Sequence, residues 1–487
     1  MTLIFSGNDF KYELEAVSKL FFPVESFECV FLEEGAKPQN ISGDFAFICR
    51  IQGVKSTLLS VFVSVSGKHK TLSEKVAIDE TEQDFILGRL LYKCLCKLTG
   101  ITPEWGVLTG VRPIKLIHKL RSAGHSDDEI KNILSEKYLV SEEKIRLGLQ
   151  TADNQAECES GMPEKSFSLY VSIPFCPTRC SYCSFISQTV SSFKKLMPQY
   201  VELLCEEIRH TAKIIEGKGL NLDTVYFGGG TPTSITAEDL DKIMKTIDAC
   251  FDTSRLREYT VEAGRPDTVT REKLEVIRAN GGKRVSINPQ TMHNSVLEAI
   301  GRKHTAEQFL ESYNLAKEVG FDVINTDLIA GLPTDTLEGF SETLDKVIAL
   351  SPENITVHAL SIKRAADLMR EYDTKQENEA ESMVKLSIKK LSEQGYEPYY
   401  LYRQKNQLGN QENTGWCKKG TACIYNINIM EETQSIVAVG AGGTSKLVFQ
   451  NGKLERFFNP KYPLDYIKNY ETVISRKNQL AELIDNI

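Results

Sequence analysis

Three closely spaced cysteines are the residues of this chain whose arrangement most clearly indicates chemistry. Cys176, Cys180 and Cys183 are separated by three and then two residues, and they follow an apolar, strand-like run at 169–173. A group of thiolates on one short loop is suited to hold zinc or an iron–sulfur cluster. The spacing therefore predicts a metal centre at the end of a strand.

The alternatives to an iron–sulfur cluster fit the spacing less well. A structural zinc site normally has four ligands, commonly in two separated pairs, and the sequence offers no second pair with that spacing. A disulfide would use two cysteines and leave the third without a partner. A [4Fe–4S] cluster on three thiolates leaves one iron open to another ligand, and we favour this interpretation.

The elements that must position this loop are alternating strands and helices. Amphipathic helices lie between the strands; Leu240, Ile243 and Ile247 belong to one apolar stripe. Repeated strand–helix units predict a parallel sheet whose functional groups collect at the carboxyl ends of the strands. Strand-like runs are predicted at 169–173, 224–227, 259–262, 284–287, 323–329 and 355–360.

Polar or glycine-rich residues follow strand after strand. The run Gly-Gly-Gly-Thr-Pro-Thr at 228–233 follows the second strand, Glu262 ends the third, Gln290 follows the fourth, and Asp327 lies in the fifth. Each alone could be a turn residue or a helix cap. Their recurrence at the same structural position favours a cofactor bound beside the open iron.

Composition limits the classes of partner. The 487 residues carry a net charge of −8, which argues against nucleic acid as the main partner. No run approaches the length of a membrane span, and the first residues turn polar too soon for a signal peptide. The twelve cysteines are mostly scattered in apolar segments, which favours a reducing compartment. We expect a cytoplasmic protein.

The rest of the chain predicts four segments. They are an N-terminal α+β domain at 1–105, a helical connector at 106–163 with a capping box from Ser126 to Glu129, the strand–helix repeats at 164–375, and a C-terminal region at 376–487. Cys158 in the connector is a conceivable spare ligand, although an incidental cysteine is the more common case. In the last segment, runs at 399–402, 424–429, 436–439 and 447–449 predict strands, the last three as a small sheet.

The segment from Tyr170 to Cys183 resembles the CxxxCxxC motif of the radical S-adenosylmethionine (SAM) superfamily. Tyr-x-x-Ile-Pro-Phe-Cys, Gly-Gly-Gly-Thr-Pro-Thr, Thr-Val-Glu-Ala, Gln290 followed by Arg302, and Asp-Leu-Ile-Ala-Gly-Leu-Pro resemble the oxygen-independent coproporphyrinogen III oxidase family over about 166–365. Within this HemN/HemW/HemZ group, Cys-Ser-Tyr-Cys-Ser-Phe and the extra N-terminal region look most like the coproporphyrinogen dehydrogenase HemZ branch. The resemblance implies an α/β fold, a partial (β/α)6 radical-SAM barrel with an N-terminal α+β domain and a C-terminal α+β lid region.

The resemblance also implies the roles of individual residues. Cys176, Cys180 and Cys183 would bind the [4Fe–4S] cluster, and SAM would occupy the open iron. Gly229 and Gly230 would allow the backbone to approach the methionine part of SAM closely. The implied SAM-binding residues are Tyr170, Tyr182, Gly229, Gly230, Thr231, Glu262, Gln290, Arg302, Asp327, Ser361 and Val437.

The implied reaction is a radical oxidative decarboxylation. Reductive cleavage of SAM yields a 5′-deoxyadenosyl radical, which removes a hydrogen atom from a propionate of a porphyrinogen; carbon dioxide leaves and a vinyl group remains. A flavodoxin- or ferredoxin-like protein would donate the electron, and no catalytic side chain is assigned. Lys363, Arg364, Arg403 and Lys405 are candidates to bind the substrate carboxylates, although surface charge explains such residues more often.

Two departures from the family pattern leave the substrate open. The family's oxidase has a further cysteine two residues after the third, where this chain has Phe185. The family's chaperone-like branch has a C-terminal His-Asn motif, whereas the comparable region, 409–416, contains no histidine. The alternatives are a heme-binding or heme-trafficking protein of the same family, or a radical SAM enzyme that acts on another tetrapyrrole.

Overall fold

The computed structural model describes the chain except Val24, Asn40, Ser184, Ile186, 362–373, Lys405, Asn406 and 485–487, and except the side chains of 374–378. Contacts within the chain define two compact units, Met1–Leu149 and Gln150–Ile487. The finer four-segment organisation stays a prediction. No helix in the described part of the chain is long and apolar enough to cross a membrane.

The first unit is built on a five-stranded sheet. Its strands follow the order β2-β1-β3-β4-β5. Alternate residues of β4, Leu59, Val61 and Val63, are fully buried in one hydrophobic core with residues of α1 and α2, as the period of two along a strand requires. The elements are β1 (Thr2–Ser6), α1 (Lys11–Ser18), β2 (Glu28–Leu32), β3 (Phe45–Gln52), β4 (Ser56–Val65), β5 (Lys68–Ala77), α2 (Gln83–Thr99), α3 (Ile114–Ser122) and α4 (Asp127–Asn132).

The predicted capping box is confirmed at the start of α4. The Ser126 side chain accepts from the Glu129 amide, and the Glu129 carboxylate accepts from the Ser126 amide. The boundary between the two units falls within α5 (Glu142–Glu159).

The second unit contains an eleven-stranded sheet, a separate pair of two short strands at 175–176 and 188–189, and helices. Its strands are β6 (Ser166–Ile173), β7 (Phe175–Cys176), β8 (Gln188–Thr189), β9 (Asn221–Gly229), β10 (Glu258–Glu262), β11 (Arg284–Ser286), β12 (Val323–Ala330), β13 (Asn354–Ala359), β14 (Glu397–Tyr402), β15 (Asn413–Cys417), β16 (Ser435–Val439), β17 (Thr444–Val448) and β18 (Leu454–Phe458). Its helices are α6 (Val190–Phe193), α7 (Met197–Ile215), α8 (Ala237–Cys250), α9 (Arg271–Ala279), α10 (Asn294–Ala299), α11 (Ala306–Val319), α12 (Leu337–Leu350), α13 (Thr374–Glu393), α14 (Ile424–Glu431), α15 (Pro463–Lys468) and α16 (Tyr470–Ile484).

The six strands predicted from 164–375 are confirmed as β6 and β9 to β13. They are neighbours in chain order, and every adjacent pair among them is parallel. Helices lie between successive strands, so the α/β fold expected from the strand–helix repeats is confirmed. All six carboxyl ends consequently meet at one edge of the sheet.

The runs at 424–429, 436–439 and 447–449 were predicted to form a small sheet, whereas the C-terminal strands of the structure extend both edges of the main sheet. Strands β14 and β15 extend the main sheet beyond β13, while β16 pairs parallel with β6 and is followed by β17 and β18. The predicted strand at 424–429 is wrong, because Ile424–Glu431 forms helix α14. The carboxylate of Glu258 accepts hydrogen bonds from the amides of Ile424 and Tyr425, which supplies partners to the first N–H groups of a helix.

Candidate cofactor site

A cavity of about 500 Å³ lies at the carboxyl ends of the parallel strands. It is lined by all three cysteines of the motif and by every predicted SAM-binding residue except Ser361 and Val437. Val437 is buried in β16, where it pairs with Leu169, and Ser361 forms an isolated bridge with Gln407. The structure thus brings together the strand-end residues that the sequence singled out.

The cysteine loop is attached to the segment that follows α10. The amide and the hydroxyl of Ser181 both donate to the carbonyl of Ile300, at 3.1 Å. Tyr182 packs against an apolar cluster that includes Ile300 and Leu332. Cys180 is buried with 7% exposure, while Cys176 and Cys183 are partly exposed. The three sulfur atoms are therefore held on a loop whose backbone already has protein partners.

Gly230, directly after β9, makes room for this loop. A Cβ on Gly230 would lie 2.4 Å from the carbonyl oxygen of Phe175, the residue before Cys176. The Gly230 amide donates to Ile173 and the Thr231 amide to Phe175. Gly230 is thus required by the close approach of the cysteine-bearing backbone, a reason that differs from the contact with SAM expected from the resemblance.

Glu262 faces the cavity at the end of β10. Its Oε1 accepts a hydrogen bond of 2.6 Å from the hydroxyl of Tyr226. Burial raises the pKa of the Glu262 carboxyl to about 7; the bond from Tyr226 lowers it and the charge of Asp327 raises it. Near neutral pH this carboxyl can therefore either accept or donate a hydrogen bond.

Asp327 lies on the neighbouring wall in a different electrostatic setting. It accepts hydrogen bonds from the side-chain amides of Asn288 and Asn325, at 2.7 and 2.8 Å. Its Oδ2 lies 3.8 Å from Nε2 of His358. Burial alone would raise the pKa of Asp327, but His358, Asn325 and Thr356 together lower it. The cavity therefore holds one carboxylate that stays ionised and one carboxyl that titrates near neutrality.

Arg302 connects the cysteine loop to two strand ends. Its guanidinium donates to the hydroxyl of Tyr182 at 3.0 Å and to the carbonyl oxygens of Gly264 and Asn288. It also donates to Nδ1 of His304, whose pKa is lowered to about 3 by burial and by the charges of Arg302 and Arg265. This arginine holds the loop in place, and its predicted contact with SAM stays a prediction.

Comparison with known proteins gives consistent results for this chain. Residues 170–347 match the radical SAM superfamily model. The chain is 41% identical over 393 residues to the oxygen-independent coproporphyrinogen-III oxidase-like protein HemZ of Bacillus subtilis, covering 79% of this chain and 78% of that protein. It is 34% identical over 241 residues to the heme chaperone HemW of the same organism, covering 48% and 62%. The HemN/HemW/HemZ family of radical SAM proteins includes this chain.

The solved structure of coproporphyrinogen III oxidase HemN from Escherichia coli shows the same fold. The TM-score is 0.53 at 22% identity, over 69% of this chain and 79% of that chain. Proteins of the radical SAM superfamily bind a [4Fe–4S] cluster and SAM. The resemblance to the family and the fold class predicted from the sequence are thereby confirmed.

The residues around the cavity fit these two cofactors. Three thiols on one loop supply the soft ligands that iron–sulfur clusters take. Among the described residues, no group of three His, Cys, Asp or Glu side chains is close enough to hold one metal ion. A cluster does not require such a group, because each of its three thiolates binds a different iron atom. Gln290, held at φ 67°, has a buried Oε1 without a hydrogen-bond partner in the described structure, as an acceptor reserved for a ligand would have.

A wall of tyrosines is the feature that the sequence reasoning missed. Tyr226 and Tyr425 stack with ring centroids 4.3 Å apart, and Tyr170 stacks on both at 6.2 and 6.0 Å. Tyr400 and Tyr402 stack on each other and also line the cavity. The aromatic content of 399–402 was a usable signal, but the wrong strand at 424–429 hid the position of Tyr425.

Of the four cations proposed from the sequence for substrate carboxylates, the structure describes only Arg403. Lys363, Arg364 and Lys405 lie outside the described residues, and Arg403 is buried away from the cavity lining. Phe185 lines the cavity and is 63% exposed. An apolar ring therefore lies two residues after the third cysteine of the motif.

Proposed function

We propose that this HemZ-like protein is a radical SAM enzyme that converts propionate side chains of a porphyrinogen to vinyl groups by oxidative decarboxylation, in porphyrin or heme biosynthesis. The observation that carries the proposal is the convergence of three cysteines, Glu262, Gln290 and Asp327 on one cavity. In this proposal Cys176, Cys180 and Cys183 hold the cluster. Its coproporphyrinogen-oxidase-like relatives support the substrate class.

Bound together, a reduced cluster and SAM supply the one-electron chemistry that removes a hydrogen atom from an unactivated carbon. The contribution of the chain is to position and enclose the reactants. The ionised Asp327 suits a cationic or hydrogen-bond-donating part of a ligand. Glu262, with a pKa of about 7, suits either an amino group or a hydroxyl group.

The tyrosine wall supports a ligand that contains flat, partly apolar rings. Aromatic rings stack on planar ring systems and keep water from one face of them. Tyr226, Tyr400 and Tyr425 all line the same cavity. Such a wall suits the pyrrole rings of a porphyrinogen or the adenine of SAM. In this proposal a flavodoxin- or ferredoxin-like protein donates the electron.

The first test is loading of the cluster. After anaerobic reconstitution, the wild-type protein is expected to hold about four iron atoms per chain and to absorb near 400 nm. Cys180→Ala should lose this absorbance and most of the iron, while Cys158→Ala, which changes a cysteine outside the cavity lining, should retain both. Normal iron content in Cys180→Ala would contradict the proposed ligands.

The second test is turnover. Anaerobic incubation of the loaded protein with SAM, a reductant, coproporphyrinogen III and a one-electron acceptor, which takes the electron that the substrate radical loses with carbon dioxide, should yield 5′-deoxyadenosine and protoporphyrinogen. The HemW-type relatives favour a second candidate, a protein that binds and delivers heme. Stoichiometric heme capture without either product would support that candidate and refute the proposed decarboxylation.

A further inference from the structure

Arg265 contacts the most buried cysteine of the motif, and neither the motif nor the strand-end pattern singles it out. Its Nη1 donates to Sγ of Cys180 at 3.6 Å, to the hydroxyl of Thr178 at 3.1 Å and to the carbonyl of Thr178 at 3.4 Å. The guanidinium is only 3% exposed. A buried cation therefore contacts both a sulfur atom that the proposed function assigns to the cluster and the loop that carries it.

Asp267 fixes the orientation of the Arg265 guanidinium. Nε and Nη2 of Arg265 donate to the two carboxylate oxygens of Asp267, each at 2.8 Å. A bidentate pair of this kind holds the plane of the guanidinium. Because Nε and Nη2 are bonded to Asp267, Nη1 is the nitrogen that faces Thr178 and Cys180.

Cys176 and Cys180 thus have different surroundings. Sγ of Cys176 lies 3.5 Å from the hydroxyl of Thr231, a neutral group, whereas Cys180 has a charged donor. Hydrogen bonds to the sulfur atoms are one of the quantities that set the reduction potential of an iron–sulfur cluster, because a donor stabilises the more electron-rich reduced state. The Arg265–Asp267 pair is neutral overall, so its influence is local to the sulfur that Nη1 contacts.

We propose that Arg265 is a positioning residue that tunes the cluster through its hydrogen bond to Sγ of Cys180, making the cluster easier to reduce. This inference rests on the proposed function only in that Cys180 is taken as a cluster ligand. It requires no particular substrate. Arg265 also lines the cavity, and in this role it acts on the cluster through the sulfur of Cys180.

The test is the midpoint potential of the reconstituted cluster, followed by electron paramagnetic resonance during a redox titration without substrate. Arg265→Gln is expected to shift the potential to a more negative value. At a fixed solution potential the ratio of reduced to oxidised cluster should fall about tenfold, which is about 59 mV for one electron. A fully loaded Arg265→Gln protein with the wild-type potential would overturn the proposal.

Arg257 provides a matched control within the same sheet. It forms the same bidentate pair, with Asp223 at 2.7 and 2.6 Å, and its Nη1 donates to the carbonyl of Cys158 at 3.0 Å. It precedes β10, at the end of the strand away from the cavity. Arg257→Gln should keep the wild-type potential, and a shift equal to that of Arg265→Gln would show a general structural effect and overturn the proposal.

A second variant covers the case in which Arg265→Gln does not load. Asp267→Asn keeps the guanidinium and removes the negative charge that balances it. Its loaded cluster should have a less negative potential than the wild type, and an unchanged potential would overturn the proposal. If the wild-type protein itself holds no cluster, the proposed function fails first, so the two failures are distinguishable.

Discussion

The two ends of β10 carry the same residue types in different surroundings. At the amino end, the carboxylate of Glu258 accepts hydrogen bonds from the amides of Ile424 and Tyr425 and from the thiol of Cys423. At the carboxyl end, Glu262 has one hydrogen-bond donor among the described residues, the hydroxyl of Tyr226. The carboxylate of Glu258 thus accepts three hydrogen bonds from the chain, whereas the carboxyl of Glu262 accepts one and can accept further hydrogen bonds from a ligand.

The arginines that flank the strand repeat this contrast. Arg257, before β10, and Arg265, after it, each form a bidentate pair with an aspartate. Nη1 of Arg257 donates to a backbone carbonyl, whereas Nη1 of Arg265 donates to the sulfur of Cys180. The residue type and the aspartate pair therefore do not by themselves show whether such an arginine serves the fold or the site. The edge of a parallel sheet on which a group lies decides whether it stabilises the fold or serves the site.

The largest effect on stability is expected from removing the carboxylate of Glu258. Glu258→Ala would leave two helix N–H groups of α14 without their partner in a buried position, which should lower the free energy of unfolding by about 3–5 kcal/mol. Glu262→Ala should cost under about 1 kcal/mol at pH 8. Urea denaturation of the cofactor-free proteins measures both. Equal losses in the two variants would remove the distinction between the two ends of the strand.

A smaller effect is expected in the pH dependence of stability. Because the folded-state pKa of Glu262 is about 7, above its usual value of 4.5, this group stabilises the fold fully below about pH 4.5. The contribution is lost as the pH rises through 7. Between pH 5 and 8.5 the cofactor-free wild type should lose about 2 kcal/mol relative to Glu262→Gln.

The measurement is urea unfolding of both proteins at several pH values. Glu258→Gln is the companion variant, since it changes the carboxylate at the other end of the same strand. Parallel stability curves for the wild type and Glu262→Gln would show that Glu262 has an ordinary pKa.

The smallest effect concerns the hydroxyl of Tyr226. Its hydrogen bond lowers the pKa of Glu262, so Tyr226→Phe should raise that pKa further, by up to about one unit. Tyr425→Phe retains the stacked ring and should leave the pKa unchanged. The infrared band of the protonated carboxyl, identified by its loss in Glu262→Gln, gives the midpoint. A shift in Tyr425→Phe as large as that in Tyr226→Phe would contradict this role of the hydroxyl.

Much of the site was predictable because parallel strands send their carboxyl ends to one edge. Cys176, Glu262, Gln290 and Asp327 follow or end strands whose periodicity is clear, and the structure places all four around one cavity. Their individual contacts with the cofactors stay predictions. The family was predictable from the same segments, because the spacing of these residues is encoded locally along the chain.

The parts that were not predictable depend on distant contacts. The alternating apolar residues at 424–429 favour a strand, but a carboxylate 166 residues away, on Glu258, accepts from the first amide of a helix there. Tyr226 and Tyr400 lie within strands, and their place in the cavity wall depends on how the sheet curves. Arg265 was visible in the sequence, but its role follows from its distance to Cys180, which no sequence pattern encodes.

The pairing of β16 with β6 has a consequence for biosynthesis. β6 leads into the cysteine loop, and its outer neighbour is provided by Ser435–Val439, with Ser168 and Gln434 hydrogen-bonded across 266 residues of chain. On the ribosome, the edge of β6 consequently stays open until most of the polypeptide has been translated. Contacts of such long sequence separation slow folding, and an unpaired strand edge favours aggregation. A nascent chain that stops before β16 would therefore need protection at the strand on which its metal centre depends.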